Sequence, residues 1–279
     1  MSVSYYVIDK DGVLCDEHGT PAVLTGELNE HGISLEFSEI HDGILATSAF
    51  RPIFAIHKDY AISMGLIHCY GDKFDSTQFT SLSFLAYRHV VNYLDIDTAH
   101  AISRAILLIL WQADHQFCSR CGSPTKSHYS EHAMMCGRCH HRAYPRIQPC
   151  VITAITRINP DNQKRQILLA LHQRHKDIGM YGLIAGFVEA GESLEQCVHR
   201  EVAEEVGLKI DNIRYISSQP WPYPSNLMIG FIADYQSGDV VLQESELAEA
   251  RFFDTDKLPI IPKVGTIAHA LIQKVVQLA

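Results

Sequence analysis

Hydrophobic and polar positions change period three times in the second half of the chain. Cys150–Ile158 and Gln166–His172 are rich in β-branched and apolar residues, and the turn residues Asn159-Pro160-Asp161-Asn162 lie between them. That pattern predicts two paired strands. The period then lengthens: Val198, Val202 and Val206 recur every four residues, the spacing of one helical face. Ser193 is a good N-cap, Gln196 completes a capping box, and Gly207 suits the position just past the end. A helix is therefore expected from Ser193 to about Val206. Strands follow at Ile213–Ser217, Met228–Asp234 and Ala250–Phe253. A closing helix is expected over Val264–Leu278, with Ile267, Leu271, Val275 and Leu278 on its apolar side. Strands interrupted by two helices predict a mixed sheet between helices, an α/β/α sandwich over residues 147–279.

The first half is plainer. Ser4–Ile8, Gly12–Cys15, Ile33–Phe37 and Phe54–Met64 have strand character and are split by turn residues. Thr80–Tyr93 and Thr98–Asp114 look helical, the second placing Ile102, Ile106, Ile109 and Leu110 along one side. Residues 1–114 are expected to form a small, mostly β or α+β domain with a bridging helix. The whole chain is then of the α+β class.

Composition and charge narrow the class. The 279 residues are 47% hydrophobic and 20% charged, with a net charge of −9. That balance argues against a protein held to nucleic acid by non-specific phosphate contacts. The longest apolar run, Ala105 to Trp111, is too short to cross a bilayer, and the N-terminal residues do not read as a signal peptide. A reducing cytoplasm is the expected setting.

Four of the eight cysteines form two pairs, Cys118/Cys121 and Cys136/Cys139, with fourteen residues between the pairs. Each pair can aim two thiolates at one ion, so together they predict a tetrahedral structural Zn²⁺ site in a ribbon spanning residues 115–146. A redox role would need one motif in a thioredoxin-like context. Gly122 and Gly137 are expected to ease the tight backbone. His128, His132, His140 and His141 read as surface residues, and Arg120, Arg138, Arg142 and Arg146 would suit contact with nucleic acid. A folding staple is the plainer reading.

Glu201, Glu204 and Glu205 fall at i, i+3 and i+4, so the helix carries three carboxylates on one face. Alone they would read as a solvated acidic face. A cluster of hard oxygen ligands on a rigid element also suits Mg²⁺ or Mn²⁺. The full spacing favours the second reading. Gly186, then Glu192, then Arg200-Glu201-Val202-x-Glu204-Glu205-x-Gly207-Leu208 resembles the signature of the Nudix hydrolases at every specified position. Chance would supply it in fewer than about one chain in a million. Gly186 and Gly191 read as permitting a tight turn.

A second stretch, Ser218-Gln219-Pro220-Trp221-Pro222-Tyr223-Pro224-Ser225-Asn226, alternates prolines with aromatic rings. It is expected to be a stiff loop whose rings could stack on a nucleobase. It resembles the S-Q-P-W-P-F-P-x-S stretch of the NADH pyrophosphatase (NudC-type) subgroup. Tyr223 and Asn226 depart from that pattern, the first keeping the ring and the second changing a hydrogen-bonding group. The order of N-terminal domain, four-cysteine ribbon and Nudix domain also matches, so the resemblance covers essentially the whole chain.

The resemblance implies hydrolysis of the pyrophosphate bond of NAD(H) to NMN(H) and AMP, and removal of the NAD cap from RNA. It implies that Glu201 and Glu205 ligate Mg²⁺ or Mn²⁺, with Glu204 supporting, Ala185 offering its carbonyl and Glu246 adding a further acid from a mobile loop. Glu192 and Arg200 would pair. Glu131, Tyr144, Ala268 and the residues Gln219, Pro220, Trp221, Pro222, Tyr223, Pro224, Ser225 and Asn226 would contact substrate. Phe187 would stack on nicotinamide. A homodimer is implied too. Other nucleoside diphosphate derivatives such as ADP-ribose, and a nucleic-acid-binding protein with an inactive Nudix fold, are the alternatives.

Overall fold

The computed structural model describes residues 3–8, 12–29, 32–34, 53–57, 67–69, 83–128 and 131–278, and divides the chain into two compact units, residues 1–146 and 147–279. In the first unit, β1 (Val3–Ile8), β2 (Val13–Cys15), β3 (Val23–Asn29), β4 (Gly32–Ser34), β5 (Ile53–His57), β6 (Ile67–Cys69) and β7 (Ser83–Leu85) form one antiparallel sheet. Most of the expected Ile33–Phe37 and Phe54–Met64 strands lies outside the described residues. The helix expected over Thr80–Tyr93 is mostly absent from the described part. Strand β7 occupies Ser83–Leu85, and only the short α1 (Tyr87–Val90) and one 3₁₀ turn follow. Pairing of β7 with β2 outweighs the local helical preference.

Helix α2 (Ile96–Asp114) starts where the Asp95 side chain accepts from the Thr98 amide. Ile102 and Ile106 are buried on it, and Leu110 is half-buried. The side chain of Ile109 lies outside the described residues. Leu108 and Trp111 pack on Met134 and Ala143 of the ribbon, so the helix joins the two parts of this unit. The ribbon itself is a small antiparallel sheet of β8 (Thr125–Ser127), β9 (Met134–Cys136) and β10 (Arg142–Ala143).

The second unit is built on β11 (Gln148–Ile158), β12 (Arg165–His172), β13 (Ile184–Phe187), β14 (Lys209–Trp221), β15 (Asn226–Ser237) and β16 (Leu247–Asp254). The order is β14-β15-β11-β12-β16, and only β11 and β15 run parallel among the paired strands described. One edge of β11 is shared: Thr156–Ile158 pair with β12, and Cys150–Thr153 pair with β13. The sheet forks there. Helices α3 (Leu194–Val206) and α4 (Ile267–Gln277) cover its two faces.

Period-two alternation splits the strands between two cores. Val151 and Ile155 of β11, Leu168 and Ala170 of β12, and Ile229, Phe231 and Ala233 of β15 meet Val198, Val202 and Val206 of α3. Ile152, Ala154, Ile167, Leu169 and Ile232 meet Ile267, Leu271, Ile272 and Val275 of α4. The three valines of α3 are fully buried, each contributing roughly 1.5–3 kcal/mol. This is the α/β/α sandwich expected from the pattern.

Several boundaries differ, two of them with a clear cause. Strand β14 runs well past the expected Ser217 to Trp221, with irregular pairing around Asp211–Arg214, where Asn212 adopts φ 50°. It is an edge strand, a place in a sheet that tolerates Pro220. Helix α4 is shorter than Val264–Leu278, because the Thr266 hydroxyl caps it by accepting from the His269 amide. Leu278 lies beyond its last turn, exposed, not on the apolar face.

The start of α3 is held by a complete capping box. Ser193 Oγ accepts from the Gln196 amide at 3.2 Å, and Gln196 Oε1 accepts from the Ser193 amide at 2.8 Å. Ser193→Ala should cost about 1 kcal/mol in urea unfolding of the full chain. An unchanged midpoint would show that the cap does not contribute.

Candidate metal centre

Strand β13 lays Ala185, Gly186 and Phe187 alongside α3, and the site grows from that contact. Gly186 is extended and does not turn the chain. Its function is space: a Cβ built on it would overlap the Glu201 carboxyl group. The turn belongs to Gly191, which has φ 88°.

Arg200 ties this region together. Its Nε and Nη2 donate to the two oxygens of Glu192 at 2.8 and 2.9 Å, and Nη2 also donates to the Phe187 carbonyl at 2.9 Å. Nη1 donates to Glu201 Oε1 at 2.6 Å and to Glu204 Oε2 at 3.2 Å. Glu192 accepts in addition from the Glu189 amide, and the bonds from Arg200 chiefly hold its carboxyl down at about 2. One guanidinium thus fixes the loop on the helix and neutralises part of the acidic face.

The three box carboxylates occupy a gradient of burial. The Glu204 side chain is 56% exposed, that of Glu201 is 13% exposed, and Glu205 as a residue is 2% exposed. Burial, reinforced by Glu201 and Glu246, pushes the Glu205 carboxyl up to about 8. Burial also raises Glu201, against the pull of Arg200. Glu205 Oε2 has no hydrogen-bond partner although it is cut off from solvent. An orphaned carboxylate oxygen beside a second buried carboxylate is a donor set suited to a hard divalent cation. Glu246 is exposed on the segment before β16, and its charge raises both Glu201 and Glu205.

Arg174, which the sequence reading did not single out, also acts on Glu205. It sits in the 3₁₀ segment Gln173–Ile178, and no motif marks it. Cys150 and Cys197 lie near the acids, and burial chiefly drives both thiols up to about 12, so they stay protonated.

The proline and aromatic stretch is not a loop throughout. Gln219, Pro220 and Trp221 end β14, opposite Met228, Leu227 and Asn226 of β15, so only Pro222–Ser225 form the turn. Trp221 and Tyr223 meet edge to face, with centroids 5.9 Å apart at 67°. Gln219 is committed to α4: its Nε2 donates to the Gly265 carbonyl and its Oε1 accepts from the Ile267 amide, both at 2.8 Å. Ser225 bonds Gln148 through both side chain and carbonyl. Asn226 is buried, and its Oδ1 has no partner. Phe187 is exposed at the end of β13, and Ala268 packs on the α4 core.

The second centre lies in the ribbon. The Sγ atoms of Cys118, Cys121, Cys136 and Cys139 all lie within 4.8 Å of one another. The two knuckles share a closing turn and differ in which amide reaches the leading thiol. The amides of Arg120 and Cys139 point at Cys118 and Cys136 Sγ at 3.4 and 3.5 Å. Gly122 and His140 each close a turn onto the carbonyl of the leading cysteine, with φ 71° and 55°. The left-handed position of the second knuckle is thus His140, not the expected Gly137. Four clustered thiols with amide donors fit zinc. His128 is no surface residue, since its ring is only 7% exposed and lies 3.7 Å from Glu131. Glu131 also accepts from Arg142 at 2.9 Å and from the Tyr144 hydroxyl at 3.4 Å.

The NADH pyrophosphatase zinc ribbon domain family matches residues 113–144, and the NUDIX domain family matches residues 151–273. The chain is 47% identical over 173 residues to the NAD-capped RNA hydrolase NudC of Salmonella schwarzengrund (strain CVM19633), covering 62% of this chain and 65% of that one. It is 44% identical over 191 residues to the NAD-capped RNA hydrolase NudC of Shigella dysenteriae serotype 1 (strain Sd197), covering 68% of this chain and 71% of that one. The match thus spans just under two thirds of the first relative and somewhat more of the second. On the box, the ribbon and these identities, the chain belongs to the Nudix hydrolase family, in the group that carries the NADH pyrophosphatase zinc ribbon.

Proposed function

We propose that this chain hydrolyses the pyrophosphate bond of NAD(H), giving NMN(H) and AMP, and acts in the same way on the NAD cap of RNA. The observation that carries the proposal is Glu205: buried, unpartnered at Oε2, and under the negative charges of Glu201 and Glu246. The named activity of the relatives supports the choice of NAD-capped RNA. The complete set of box acids speaks against an inactive fold.

Glu201, Glu205, Glu246 and the Ala185 carbonyl would hold Mg²⁺ or Mn²⁺. Such a cation, when bound, offsets the charge of the diphosphate and acidifies a bound water. Arg200 keeps Glu201 and Glu204 oriented. Glu204 or Glu205 takes the proton of the attacking water as its oxygen bonds to phosphorus and the bridging P–O bond breaks. Glu204 is the more available, being half-exposed and held only at one oxygen by Arg200. Arg174 supplies positive charge near Glu205, where a diphosphate would lie. Gln219 fastens the hairpin that presents Trp221 and Tyr223, whose rings would stack on a base. Pro220, Pro222 and Pro224 stiffen it, Ser225 completes the turn, and Asn226 opens β15 opposite Trp221. Phe187, exposed at the end of β13, would stack on nicotinamide, and Ala268 would be a further substrate contact. The active form would be a homodimer, in a reducing cytoplasm that spares the zinc thiolates.

The direct test is incubation of the full chain with NADH and Mn²⁺, scored for NMNH and AMP, beside NAD-capped RNA. Absence of both products from both substrates rejects the proposal, and the ratio of kcat/KM values ranks the two.

Glu205→Gln should lower kcat by roughly 10²- to 10⁴-fold. It should also stabilise the ion-free chain at alkaline pH. Glu205 is raised from its ordinary value of 4.5 to about 8, so its contribution is present below about 4.5 and lost as pH rises through about 8. At pH 8 the variant should melt about 2–6 °C above the parent, with the gap closing near pH 4.5. A variant that melts lower at both pH values contradicts the burial argument.

Gly186→Ala should displace the Glu201 carboxylate and weaken Mn²⁺ activation, with an unchanged far-UV spectrum. Retained Mn²⁺ dependence would show that Glu201 tolerates the shift. Cys136→Ser should reduce zinc, measured by atomic absorption, from about one per chain to near zero. Full zinc occupancy in that variant would remove Cys136 from the ligand set.

A further inference from the structure

We infer that Gln173 is a positioning residue for the fourth carboxylate, fastening the segment that carries Glu246 against the end of the acid-bearing helix. This rests on the reading that Glu246 shares a cation with Glu201 and Glu205.

Gln173 follows β12 directly. Its backbone amide donates to the Glu246 carbonyl at 2.8 Å. Its side-chain Nε2 donates to the carbonyls of Glu244 at 3.0 Å and Leu247 at 3.2 Å. One residue therefore makes three bonds to the stretch 244–247. From the other side, the Val241 and Gln243 amides each donate at 3.0 Å to the carbonyls of Val206 and Glu205, the last residues of α3. The Gln243 carbonyl accepts from the Glu246 and Leu247 amides at 2.9 and 3.0 Å, closing the turn. The segment is a strap pinned at one end to α3 and at the other to Gln173.

The strap needs such a pin because the sheet does not supply one. The pairing of β12 with β16 shifts register between Leu171 and His172, at the level of Leu247, so Glu246 lies outside the regular ladder. The residue type also follows. Two carbonyls converge on one nitrogen, and a primary amide offers two N–H donors without a charge. A carboxylate there would repel both oxygens.

Gln173→Met keeps the length and removes both side-chain donors. Mn²⁺ binding to the full chain, read from the EPR signal of the free ion, should weaken about tenfold. Glu246→Gln should weaken it as well, and adding Gln173→Met to that variant should cost nothing further, because the strap then positions no ligand. Hydrogen exchange at the Glu246 and Leu247 amides should rise in Gln173→Met, with α3 amides unchanged. Parental Mn²⁺ affinity in Gln173→Met, or additive losses in the double variant, overturns the inference. Should the parent bind no Mn²⁺, the cation reading itself falls. The exchange comparison then decides the strap alone, and unchanged exchange rejects it.

Discussion

Glu205 is the constraint on which the acidic unit turns. The residue is 2% exposed, its carboxylate has an unpartnered oxygen, and the charges of Glu201 and Glu246 bear on it. A lone buried charge costs several kcal/mol, and removing water only strengthens the repulsion from its neighbours. Stability alone would not select such a cluster. The helix supports it because its opposite face is three fully buried valines and its start is a complete capping box. The packing of α3 offsets what its acids cost, and the proposed cation would complete the electrostatics.

Arg200 shows how little positive charge the unit spends on this. It engages Glu192, Glu201, Glu204 and the Phe187 carbonyl, and it leaves Glu205 alone. An arginine can do this where a lysine could not, since its planar fork offers several directed donors. The consequence is a division among chemically identical side chains. Glu192 is locked as a carboxylate, Glu201 is oriented and partly neutralised, and Glu205 is kept unsatisfied. Gly186 belongs to the same arrangement, because its missing side chain lets the Glu201 carboxylate lie against β13.

Much of this was readable from residue order. The valine period, the capping box, Gly207 and the alternation in β11 and β12 are local signals, and the sandwich follows from them. The paired cysteines likewise announced their cluster. What sequence could not supply were contacts between distant segments. Gly186 looked like a turn residue because its steric partner, Glu201, is on another element. Thr80–Tyr93 looked helical because its strand pairing with β2 is non-local. Gly137 looked like the residue that eases the second knuckle, whereas the left-handed position there falls on His140. Gln173 and Arg174 carried no motif at all, since their partners lie some seventy and thirty residues onward.

The hairpin of β14 and β15 shows why a breaker-rich run need not be a loop. A proline removes a donor from a ladder, which is ruinous in a central strand and tolerable at an edge. Pro220 sits in that edge strand, and the side chain beside it takes over the anchoring: Gln219 bonds both a carbonyl and an amide at the start of α4. The aromatic rings beyond are therefore carried on a strand end tied to a helix, and their mutual angle is set by the backbone that bears them. Rigidity of this kind lowers the entropy lost when a flat ligand group docks. The same residues that looked like interruptions of structure are what make the hairpin stiff.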